Sequence, residues 1–72
     1  MNRSTEIGRL ARVDPVAARE RVLIALRAAR GNIAGAARAL GVTRLQAHRY
    51  VQRYALRDEL ARIRAFRARR AA

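Results

Sequence analysis

Apolar positions along the chain fall into short stripes separated by glycine. From Val16, "VAARERVLIALRAAR" keeps Val16, Val22, Leu23, Leu26 and Ala29 broadly on one helical face, with Ile24 on the far side. Asp14-Pro15 marks its start, because Asp caps well and Pro loses no hydrogen bond in a first turn. Gly31 ends it as a left-handed residue. Asn32 then caps a second helix, in which Ile33, Ala36, Ala37 and Leu40 recur at the 3.6-residue period. Gly41 closes that helix after about two turns. A helix so short is not stable alone, so it needs packing on both neighbours.

Thr43-Arg44-Leu45-Gln46 reads as a capping box opening a third helix, about 44–54. At about 100° per residue, Ala47, Tyr50, Val51 and Tyr54 share its inward face. Leu45, His48, Arg49, Gln52 and Arg53 face outward, with Arg44 on the flank. Beyond Ala55, Leu56, Leu60 and Ile63 form a stripe with Phe66 beside it. Asp58 and Glu59 come early and the arginines late, as a helix dipole favours. This predicts a fourth helix fraying into an Arg-rich tail. Residues 1–13 show no firm period, although Ile7, Leu10 and Val13 fit one turn; they read as a flexible basic arm, free or folded back. The expected protein is all-α, with about four helices. It divides into an arm (1–13), a core (14–56) and a C-terminal amphipathic helix with its tail (57–72).

Seventy-two residues make one domain, with no cysteine for a disulfide or thiolate site. Ala supplies 17 of the hydrophobic residues and only 20 are larger, a thin core that predicts help from a second copy of the chain. Charge changes the picture more. The net charge is +12, and all 17 basic residues are Arg. Such a balance points to a polyanionic partner, and Arg suits bidentate phosphate and guanine contacts. A GC-rich genome would also give Arg in place of Lys. The distribution is more telling: from Arg21 to Arg57 there are eight Arg and no acid. No apolar run reaches the roughly 18–20 residues of a membrane span, and the N-terminus lacks a signal-peptide core, so the expected compartment is the cytoplasm. Five acids and one His show no catalytic spacing. No catalytic residue, metal site, cofactor or small-molecule ligand is predicted.

Two short helices joined by "LGVT" have the layout of a helix-turn-helix: Gly41 for the tight turn, Val42 plugging the corner, Ala36 and Ala37 for close packing. "ALRAARGNIAGAARALGVTR" resembles the DNA-binding end of the factor for inversion stimulation (Fis) family, a module that also terminates many bacterial enhancer-binding activators. Gly31-Asn32, Ala36-Ala37, Leu40-Gly41-Val42 and Arg44 carry the resemblance, which spans roughly residues 22–56. It implies a dimeric bacterial protein that binds double-stranded DNA in the nucleoid. The chain departs from the family at Gln46-Ala47, where Thr-Leu is usual, at the less uniformly basic His48-Arg49-Tyr50, and at Ala55, where Gly is common. The preferred DNA sequence therefore does not carry over.

On this reading Arg44 and Arg49 are candidates to read bases, the alternative being that both touch only phosphate. His48 donates to a base or a phosphate or is simply solvated, and Leu45 meets a thymine methyl or folds back onto the turn. Asn32, Arg38, Thr43, Gln46, Gln52 and Arg53 suit phosphate and positioning contacts. Ile24, Leu56, Leu60, Ile63 and Phe66 are expected to form a homodimer interface. The favoured role is a sequence-reading transcriptional regulator of bacterial or phage origin. An architectural DNA-bending protein is the alternative within nucleic-acid binding. A module that docks on a protein or an anionic membrane is the alternative outside it.

Overall fold

The computed structural model describes residues 6–71 of the chain. Among them are five helices and no strand: α1 (Glu6–Val13), α2 (Pro15–Ala28), α3 (Ile33–Leu40), α4 (Arg44–Arg53) and α5 (Arg57–Ala71). α2 is central, packing against each of the other four. Its inward stripe is Ala18, Val22, Leu23, Ala25 and Leu26. Val16 lies two residues, about 200°, from Ala18, so it faces solvent instead of joining the inward face.

The first helix corrects the flexible-arm expectation for the described part of residues 1–13. α1 is too short to hold by propensity. It persists because Ile7 (1% exposed) and Ala11, one turn apart, are buried in the common core. Leu10 packs beside them while Val13 is exposed, so the buried side is Ile7, Leu10 and Ala11, not Ile7, Leu10 and Val13. Glu6 also reaches Arg21 of α2 at 3.5 Å. Residues 1–5 lie outside the described residues.

Three helix ends share one hydrogen-bond arrangement. Gly31 N–H donates to Leu26 O (2.9 Å) and Arg30 N–H to Arg27 O (3.0 Å). Val42 and Gly41 donate to Ala37 and Arg38, and Leu56 and Ala55 to Val51 and Gln52. Each is a Schellman closure, which needs one left-handed residue. Those residues are Arg30 (φ 56°), Gly41 (φ 72°) and Ala55 (φ 54°). Gly31 is therefore one place later than expected, although it too is left-handed (φ 81°). At each corner the following residue turns inward: Gly31 and Leu56 are buried, and Val42 is half-buried.

α5 returns along α2. Leu56 (0% exposed) and Leu60 are buried in the chain's own core, with Ile63 packed against it. Arg64 Nε donates to Gly31 O (3.0 Å) and Arg67 Nη1 to Arg30 O (3.4 Å), which latches α5 to the α2–α3 corner. Arg19 of α2 meets Glu59 at 3.5 Å. From residue 64 to 70 every side chain is exposed, so the end of α5 projects beyond the core. The molecule is accordingly elongated, 43 × 22 × 16 Å.

Candidate nucleic-acid interface

The geometry of α4 starts with its cap. Gln46 N–H donates to Thr43 Oγ1 (3.1 Å), and Thr43 N–H donates to Gln46 Oε1 (3.0 Å), so both orphan donors are satisfied. Three residues, Gly41-Val42-Thr43, link α3 to α4. Asn32 caps α3 by accepting from Gly35 N–H at 3.1 Å. These caps engage the acceptor oxygens of Asn32 and Gln46, which leaves their amide NH2 groups to donate outward.

Ala47 and Val51 are buried and Tyr50 and Tyr54 half-buried, so the inner face of α4 is the expected one. The tyrosine rings lie parallel, 2° apart in plane, with centroids 6.1 Å apart. Arg53 lies over the Tyr54 ring at 5.9 Å, which restrains its guanidinium near the helix surface. The turn, the cap and the inward tyrosines thus fix which side of α4 faces outward.

Its outer side collects the predicted residues. Arg44, Leu45, Gln46, His48, Arg49, Gln52 and Arg53 are all exposed, as are Thr43 at the cap of α4, Asn32 at the cap of α3 and Arg38 on α3. Leu45 is 59% exposed and does not fold back onto the turn. Gln46, Arg49, Tyr50 and Arg53 line a shallow depression of about 160 Å³. The ion pairs among the described residues use Arg19 and Arg21 with Glu6, Glu20 and Glu59; none involves α3 or α4. The guanidinium groups of Arg38, Arg44, Arg49 and Arg53 therefore keep their donors for an external anion.

Two of the residues expected at a dimer interface are placed elsewhere by the fold. Leu56 and Leu60 fill the chain's own core, because α5 folds back on α2 and consumes the stripe that otherwise faces a second copy. Ile63 is half-buried in the same packing; Ile24 (57%) and Phe66 (55%) remain exposed. Sequence reasoning also missed a second basic surface. Arg27 and Arg30 at the end of α2, with Arg62, Arg67 and Arg70 on α5, rim a groove of about 740 Å³. The signal was available: residues 59, 62, 63, 66, 67 and 70 follow one another at helical spacing. Nothing in the sequence marked the Arg64 latch.

Among the described residues, no group of three or more His, Asp or Glu side chains could hold a metal, and no helix is long and apolar enough to cross a membrane. Comparison with protein-family models, curated proteins and solved structures finds no match to this chain.

Proposed function

We propose that this chain binds double-stranded DNA through a helix-turn-helix formed by α3 and α4, with α4 in the major groove, and that it acts as a sequence-reading regulator. One observation carries the reading: a doubly capped α4 presents Arg44, Leu45, His48, Arg49, Gln52 and Arg53 outward, and among the described residues no carboxylate pairs with any of them. A merely solvated helix surface normally mixes both signs of charge. Arg44 and Arg49 read base edges, and Arg38, Arg53, Thr43 and the Asn32 and Gln46 amides hold phosphates.

Arg44→Ala is expected to cost roughly 1–3 kcal/mol on the preferred duplex and to relax specificity, whereas Arg53→Ala weakens all duplexes evenly. Binding titrations on preferred and scrambled duplexes check this; equal losses on both for both variants would refute the division of roles. The first experiment is selection of bound duplexes from a random pool at near-physiological salt. A palindromic or spaced motif supports the regulator. A featureless pool supports an architectural binder, which the further arginines on α2 and α5 favour. No enrichment rejects DNA binding.

A second copy would bring two α4 helices about 34 Å apart, one turn of DNA. With Leu56 and Leu60 buried, the outer side of α2, carrying the exposed Val16 and Ile24, is an apolar surface left for self-pairing. Ile24→Asp is expected to reduce the sedimenting mass to that of a monomer; an unchanged mass would rule that surface out.

A further inference from the structure

The groove between α2 and α5 has a composition unlike the surface of α4. Its floor is Ile63 and the half-exposed ring of Phe66, with the Arg70 guanidinium over that ring at 5.7 Å. Five arginines surround the floor, and the one carboxylate there, Glu59, is paired with Arg19. Arg67 is partly held by its bond to Arg30 O and Arg70 lies over one face of the Phe66 ring, while Arg27, Arg30 and Arg62 are exposed. No residue of α3 or α4 lines it.

Five guanidinium groups against one neutralised acid demand a polyanion. Like charges exclude a second copy docking face to face on this groove. An acidic amphipathic helix would need apolar anchors at successive turns, and Ile63 and Phe66 alone do not provide them. An anionic membrane fits poorly too, because exposed arginines at 57, 62, 64, 67, 69 and 70 surround α5 and leave it no separate apolar face. What the groove offers is one aromatic platform flanked by phosphate-binding forks, the combination that holds unpaired nucleobases. Arg62 and Arg70 stand eight residues, about 12 Å, apart along α5, so the guanidinium forks span more than one phosphate.

We propose that the α2–α5 groove binds single-stranded nucleic acid, with a base stacked on Phe66 and the flanking phosphates on Arg27, Arg30, Arg62 and Arg70. This site is separate from the duplex-binding reading of α4 and does not depend on it. The test uses the full chain and fluorescence anisotropy at near-physiological salt, with labelled oligothymidylate of about twelve nucleotides. The control is an abasic phosphodiester oligomer of equal length. Oligothymidylate is expected to bind more tightly than the abasic chain. Phe66→Ala is expected to weaken oligothymidylate binding on the order of ten-fold, the size of one stacking contact, and to leave the abasic chain unchanged. Arg62→Gln weakens both probes alike. Phe66 is a surface side chain, so an unchanged circular dichroism melt separates this effect from unfolding. Arg44→Ala should leave oligothymidylate binding intact, which distinguishes failure of this proposal from failure of the α4 reading. Equal affinity for both oligomers, or indifference to Phe66→Ala, overturns the proposal. So does adenosine triphosphate competing as well as the oligomer at equal concentration, or tighter binding of a poly-glutamate peptide.

Discussion

A left-handed backbone at a residue with a Cβ costs about 1–2 kcal/mol, and this chain adopts it at both Arg30 and Ala55. Ala55 is exposed, so trimming its methyl loses no packing. Ala55→Gly is therefore expected to stabilise the protein by about 0.5–1 kcal/mol after the extra unfolded-state freedom of glycine is deducted. At roughly 4–8 °C per kcal/mol in a domain this size, calorimetry resolves the rise in Tm. Gly31→Ala should move the other way, by about 1–2 kcal/mol. Its φ is 81°, and an added Cβ would sit 2.7 Å from Arg64 Cγ. A higher Tm for Gly31→Ala would mean that the corner yields easily and that the latch contributes little. The caps at Asn32 and Thr43 are legible in the chain because a cap involves residues three apart. The strain at Arg30 and Ala55 is not, since nothing local announces a non-glycine residue in a left-handed turn.

Among the elements, α3 and α4 illustrate how local signals reinforce one another. Each is short, yet a side-chain cap opens each and a Schellman closure ends each. Thr43→Ala removes the acceptor for Gln46 N–H and is expected to cost about 1 kcal/mol. The loss should appear as faster amide exchange in the first turn of α4 and a Tm lower by several degrees; unchanged exchange there would show that packing alone holds the helix start. α1 and α5 were harder to read. The Leu56/Leu60/Ile63 stripe was plain, but periodicity reports which side is apolar and not what covers it. Here α2 covers it, so the stripe belongs to the core and not to an interface. In α1 the buried pair includes an alanine, Ala11, whose small side chain adds almost nothing to a hydrophobic pattern.

For the whole molecule, the thin core makes each large buried side chain count. Ile7→Ala is expected to cost about 2–5 kcal/mol, a large share of the roughly 4–11 kcal/mol that a chain of this length holds. Denaturant melts would check it, and a loss under about 0.5 kcal/mol would mean that α1 is an accessory and not part of the folding unit. The sequence by itself determined four of the helices, the caps at Asp14, Asn32 and Thr43, the closure at Gly41, and the acid-free outer side of α4. Those features follow from bonds and spacings within a few residues, where helical geometry leaves one answer. The tertiary structure alone decided that residues 6–13 dock as a helix, that Leu56 and Leu60 face inward, and that Arg64 secures Gly31. It also gathered arginines more than thirty positions apart around Phe66. Burial of a shared core places those residues together, and which distant stripes meet depends on chain return across α2, which no local pattern encodes.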